Sequence, residues 1–300
     1  MPTLKEIKGR IGSVKSTLKI TSAMKLVSSA KMRKAQKAIE AMRPYEEQLQ
    51  RMLLQLRGPQ AAEESSASRL PQAIVAIASN SSLCGGFNAN VIAKVREVRK
   101  AGDTVYSVGR KMADAMRKDG FASPADFTAL ADHPEYASAA ALVEKLCEEV
   151  AAGRFGQILL VYNHFVSTAK QVPTVDVLLA TQTTEEKDSP SSASLRDPSL
   201  SPSERSLCHS ERSEESIDAI IEPGKKELLS VLEPKLLKLK LYAALLDSAA
   251  AEHAARTVAM QTATDNGENL LSELTLQYNK GRQQKITAEI LDLAGGQTQE

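Results

Sequence analysis

The sequence predicts an α/β domain set between two long terminal helices that pair with each other, antiparallel, as a coiled coil. Three observations carry this prediction. At both ends of the 300-residue chain, apolar residues step by threes and fours over stretches longer than one small domain can bury. Between them, short apolar runs alternate with helical patterns, the rhythm of a small, mostly parallel sheet wound on both faces. Aromatic residues make up only 4% of the chain and Trp is absent, a bias toward helices and away from an all-β sandwich. At 42% apolar and 25% charged residues, a wholly disordered or collagen-like chain is excluded.

Residues 1–57 form the first helix. Thr3 is placed to cap it and Glu6 to complete a capping box. Leu4, Ile7, Ile11, Val14 and Leu18 make a seam for a partner helix, and Ala35, Ala38, Met42, Tyr45, Leu49, Met52 and Leu56 continue it in a shifted register. Pro44 removes one ladder bond, so a kink is expected there. The segment 70–184 reads as the α/β domain. Its strands are expected at 73–78, 104–108, 157–162 and 172–179, the last two as a hairpin, with helices at 88–100, 110–118 and 137–152. Residues 185–216 hold eleven Ser, three Pro and eight acids in 32 positions with no apolar period, and so read as a disordered surface insertion. A connection, 217–233, leads to the second long helix, 234–296, opened by Pro234 and stopped by Gly295-Gly296. Its seam is read as Leu239, Tyr242, Leu246 and Ala249, then Leu270, Leu274 and Tyr278, then Ile286, Ile290 and Leu293. Such seams also suit a dimerisation coiled coil.

Little in the chain asks to be read as catalysis. Ser81-Ser82-Leu83-Cys84-Gly85-Gly86-Phe87-Asn88 sits between a strand and a helix, where Gly-rich turns often hold phosphate, but it matches no dinucleotide or P-loop fingerprint. Cys84 at a helix N-terminus is a candidate thiolate, yet no base can be assigned to it, and a tightly packed glycine turn is the better reading. His133, His164, His209 and His253 have no metal-ligand spacing, and His253 suits packing or capping on the long helix. Cys84, Cys147 and Cys208 form no disulfide framework, which points to a reducing compartment. No apolar run is long enough to span a bilayer, and no basic-then-apolar leader opens the chain, so no export signal is expected.

Charge is more informative. The net charge is +1, but residues 1–43 hold eleven Lys and Arg against Glu6 and Glu40 alone. With no interleaved aromatics and no base-reading motif, this reads as a solvated face or a track for acidic protein partners rather than a nucleic-acid site. The middles of both helices, 20–34 and 249–256, are rich in small residues, as in a slim shaft that sits inside something else.

Ile20-Thr21-Ser22-Ala23-Met24-Lys25-Leu26-Val27, Leu83-Cys84-Gly85-Gly86-Phe87-Asn88, Glu252-His253-Ala254-Ala255-Arg256 and Tyr278-Asn279-Lys280 occur in this order. With Ala263-Thr264-Asp265-Asn266, Arg282-Gln283 and Ile286-Thr287, they make the chain similar to the γ subunit of F-type ATP synthases. The resemblance covers nearly the whole chain apart from the insertion. It departs at Asn80-Ser81-Ser82, where Asp-Arg-Gly is usual, and at Gly281, where Ala is usual and Gly weakens a helix by about 1 kcal/mol. Chloroplast relatives carry a cysteine pair in a regulatory insertion; the insertion here has Cys208 alone.

The resemblance implies an antiparallel coiled coil carrying a Rossmann-like doubly wound foot. It implies a non-catalytic central-stalk rotor, without a cofactor or metal, that couples c-ring rotation to conformational change at the catalytic β subunits and regulates ATPase activity and ion flow. The implied partners are the α and β subunits, the ε subunit and the c-ring, through which the chain is held peripherally at the cytoplasmic face of a bacterial inner membrane. No nucleic acid is implied. By motif position, Met24 and Lys25 are expected near acidic loops of β, and Arg256, Arg282, Gln283 and Thr287 at stator contacts or in support of the upper shaft.

Overall fold

The computed structural model describes residues 3–57, 70–121, 123–180 and 224–296. Helix α1 runs over Leu4–Arg57, and the capping box forms as expected: Thr3 N donates to Glu6 Oε2 at 3.0 Å and Glu6 N to Thr3 Oγ1 at 3.3 Å. The final helix, Lys225–Gly296, has 72 residues, or about 108 Å at 1.5 Å per residue. It starts well before Pro234, the expected first turn. A single proline removes one ladder bond and is carried inside the helix, as Pro44 is in α1.

Between them lie β1 (Gln72–Ile77), α2 (Phe87–Val98), β2 (Thr104–Val108), α3 (Arg110–Lys118), α4 (Thr128–Asp132), α5 (Tyr136–Ala151), β3 (Gln157–Phe165) and β4 (Gln171–Ala180); the final helix is α6. The short α4 carries too little periodicity to be read from sequence. The sheet order is β2-β1-β3-β4, parallel except for the β3–β4 hairpin. Pro173 is tolerated because β4 lies at an edge. Central β1 is buried on both faces, hence its unbroken apolar run.

Alternation along the strands makes two cores. Ile74, Ala76 and Val161 pack under α2 and α3 through Val91, Val95, Met112 and Met116. On the opposite face, Val75, Tyr106 and Leu160 meet α5 and, on α6, Leu241, Ala244 and Leu245. The long helix is therefore part of the sheet's own covering layer. Twist applied to the sheet domain passes into α6 without a linker. The Ser/Pro-rich 185–216 segment lies outside the described residues.

The two long helices run antiparallel. Thr264 Oγ1 donates to Thr21 Oγ1 at 3.0 Å, while Leu18 lies against Gly267 and Leu4 against Gly281. The seam from Leu4 to Leu18 faces the partner as expected. Two later positions do not: Tyr45 is 58% and Met52 52% exposed, and Leu53 takes the buried place. On α6, Leu270 faces outward and Leu271 inward. In each case a run read at strict intervals drifts off the contact line, because a straight helix turns about 20° per heptad relative to a 3.5-residue seam.

Candidate functional site

The loop after β1 is where the sheet domain meets the helix pair. Gly109 lets it begin: at φ +95°, a Cβ there would lie 2.1 Å from the Ala78 carbonyl oxygen. Ser79 N donates to Asn88 Oδ1 at 3.0 Å, and Asn88 Nδ2 reaches Cys84 Sγ at 3.1 Å. Asn80 ties the loop to its neighbours. Its amide nitrogen donates to the Thr128 carbonyl at 2.8 Å, and its oxygen accepts from Arg110 N at 2.8 Å. Cys84 and Phe87 then press on Ala251 and Ala255 of α6. Asn163, at the end of β3, donates to the Phe87 carbonyl at 2.9 Å. Open α/β sheets bind ligands in the crevice at the carboxyl ends of their strands. Here that crevice holds the protein's own loop, and Cys84 is 2% exposed.

Behind this loop, α6 carries a buried charge cluster. Arg256 Nη2 donates to Glu252 Oε1 at 2.6 Å, and its Nη1 lies 3.3 Å from His253 Nδ1. Burial outweighs the guanidinium's pull and holds the Glu252 carboxyl above its usual range. Burial, reinforced by Arg256 and Lys31, pushes His253 down to about 4. Lys31 reaches the cluster from α1 and Asp132 from α4, so three elements meet there.

A cleft of about 400 Å³ opens between α1, the β3–β4 hairpin and α6. Its polar groups answer one another. His164 Nδ1 lies 2.5 Å from Asp247 Oδ2, Phe165 N donates to Asp247 Oδ1 at 3.1 Å, and Tyr162 Oη donates to Asp176 at 2.7 Å. The two bonds to Asp247 clamp the hairpin to α6, and the Tyr162–Asp176 bond ties its two strands together.

The six residues singled out by motif fall in three separate places. Met24 and Lys25 are half-buried at mid-α1. Arg256 is only 7% exposed and occupied within the helix pair, so it supports the pair from inside and offers no outward contact. Arg282, Gln283 and Thr287 are exposed on α6, and Thr287 Oγ1 donates to the Gln283 carbonyl at 2.9 Å. The small residues at 250, 251, 254 and 255 form no smooth outer surface; all four are buried, Ala251 and Ala255 under the Cys84 loop. The outer surface instead carries large apolar side chains that seam reading passed over: Ile20, Leu26 and Val27 on α1, and Leu276 and Leu291 on α6. Their signal was present, as apolar residues off the seam.

With Gly281 opposite Leu4, α6 outruns its partner. From Arg282 to Leu293 every side chain is exposed, including Ile286, Ile290, Leu291 and Leu293. The molecule thus ends in a single helix with an uncovered apolar surface.

A family model described as ATP synthase matches residues 3–298. The ATP synthase gamma chain of Phocaeicola vulgatus is 44% identical over 99% of both chains, and that of Bacteroides thetaiotaomicron is 42% identical over the whole of both. The chain belongs to the family of ATP synthase gamma chains. A chain of the Euglena gracilis mitochondrial ATP synthase, from an OSCP/F1/c-ring structure in rotational state 3, superposes with a TM-score of 0.68 at 20% identity, covering 98% of this chain and 93% of that one. A likeness at that identity speaks for the gamma fold of paired end helices and central sheet.

Proposed function

We propose that this gamma chain is the non-catalytic turning shaft of a proton-translocating F-type ATP synthase. The observation that carries the reading is continuity: α6 covers the sheet at one end and runs on as an unpaired, apolar-surfaced helix at the other. A torque applied to the sheet domain reaches that tip through one covalent rod. The α and β subunits surround the helix pair, with exposed Leu26 and Val27 beside Lys25 facing β, and Arg282, Gln283 and Thr287 meeting the stator near the tip. The sheet domain binds the ε subunit and the c-ring. The chain is held through that ring at the cytoplasmic face of a bacterial inner membrane; among the described residues no helix is long and apolar enough to cross it. Turning an asymmetric rod gives each β subunit a different surface in turn, and so couples rotation to ATP synthesis or hydrolysis.

That the chain itself performs no chemistry is supported by the strand-end crevice, filled by its own loop, and by Cys84, buried and hydrogen-bonded. The full-length tagged chain should co-purify α and β in equal amount and in excess over itself, and the preparation should hydrolyse ATP only with them present. ATP hydrolysis by the chain alone, or its recovery without α and β, would overturn the reading.

A further inference from the structure

We propose that Gly267 and Gly281 are register-setting notches that receive Leu18 and Leu4 and thereby fix how far the tip of α6 projects beyond α1. The two leucines stand fourteen residues apart on α1, and the two glycines fourteen apart on α6. Both spacings are two heptads, so an antiparallel pair brings both knobs onto both notches at once. The fit is tight: a Cβ built on Gly267 would lie 2.7 Å from Leu18 Cδ2, and one on Gly281 3.1 Å from Leu4 Cδ2. Neither glycine is there for its backbone conformation, because both lie inside α6 with ordinary helical φ. Each costs helix stability relative to alanine. Close approach of the partner is what remains to explain them.

Sliding the helices shows what the notches select. One heptad in one direction sets Leu4 and Leu18 against Leu274 and Met260; one heptad in the other sets them against Ala288 and Leu274. A slip of two heptads one way sets Leu18 against His253; the other way brings Leu18 to Gly281 and Leu4 to Gly295 but sets Ile7, Ile11 and Val14 against Asp292, Ala288 and Lys285. Among heptad slips, therefore, only the observed register seats both knobs and keeps the apolar residues between them opposite apolar partners. Between the knobs, Ile7, Ile11 and Val14 fall opposite Tyr278, Leu274 and Leu271 and add apolar contact to the same register. Gly267 and Gly281 are thus positioning residues. They act through Leu18 and Leu4 on the reach of the helix tip. This rests on the geometry of the helix pair and is independent of the rotor reading.

The test exploits opposite expectations. Helix propensity alone predicts that Gly267→Ala stabilises the full-length chain. The notch predicts that overpacking against Leu18 outweighs that gain and lowers the Tm by about 3 °C or more, and that Leu18→Ala in the same chain restores it. Register is read separately by oxidising a Thr21→Cys/Thr264→Cys pair, whose parent hydroxyls lie 3.0 Å apart, against each single variant. Disulfide formation should be rapid in the parent, clearly slower with Gly267→Ala, and rapid again when Leu18→Ala is added. Where Gly267→Ala does not fold, recovery of folding by Leu18→Ala supports the notch and its failure overturns it. An unchanged or higher Tm with undiminished cross-linking in Gly267→Ala also overturns it.

Discussion

At Arg256, where motif position suggests a stator contact or support of the upper shaft, the structure shows a buried ion pair. Its guanidinium neutralises Glu252, both side chains being about a tenth exposed or less. Removing one partner of such a pair strands the other charge, so Arg256→Met should lose about 3–5 kcal/mol in denaturant unfolding. Adding Glu252→Gln should return much of that loss. His253 gives the cluster a pH signature. Its pKa is about 4 in the folded chain, below the ordinary histidine value of 6.5, so the folded state holds it neutral. The stability this represents is present above pH 6.5 and is lost as pH falls from there toward 4. His253→Gln should flatten the Tm-against-pH curve across that window and leave it unchanged above pH 7. A histidine sequence is silent on this, because the shift comes from burial and from Lys31 and Arg256, which only folding brings near.

Among the elements, the β1–α2 loop adds a further contact between the sheet domain and α6, and the turn after β2 closes against it. Gly109 is indispensable on two grounds: φ of +95° and a carbonyl oxygen where a side chain would stand. Gly109→Ala should cost more than about 2 kcal/mol by denaturant titration. Cys84→Ala, by contrast, should cost about 1 kcal/mol and leave ATP hydrolysis by the assembled complex intact, and the native thiol should react slowly with maleimides because it is buried. Loss of hydrolysis in Cys84→Ala with assembly preserved would revive a chemical role for the thiol. Apart from α4, the strands and helices of this domain are legible to within a few residues, because β1 is apolar from Ala73 onward and α2, α3 and α5 are amphipathic. The start of α6 is not. A proline tolerated inside a helix and one opening it look alike in sequence, and packing from Leu237 onward against the sheet selects between them.

Across the whole molecule, a single helix belongs at once to the sheet's covering layer, to the helix pair and to the free tip. Shortening it at the tip removes residues of which those from Arg282 to Leu293 are all exposed. Deleting residues 282–300 should therefore spare folding and assembly and reduce coupling between proton flow and ATP synthesis in reconstituted vesicles. Synthesis at the parental rate would show that Arg282, Gln283, Thr287 and the apolar tip carry no torque. Failure to assemble would instead assign the tip to holding the stator together.

The order of amino acids alone determined the two long helices, their capping box, the alternating α/β middle and the family, because periodicity and motif are local or collinear properties. Tertiary structure alone decided which apolar residues face outward, that Arg256 turns inward, and that the ligand crevice is closed by Cys84 and Phe87. It also decided that α6 outruns α1. Each of these depends on how α6 sits against α1 or against the loop after β1, through contacts such as Leu18 near Gly267 and Cys84 near Ala251, between residues far apart in the chain.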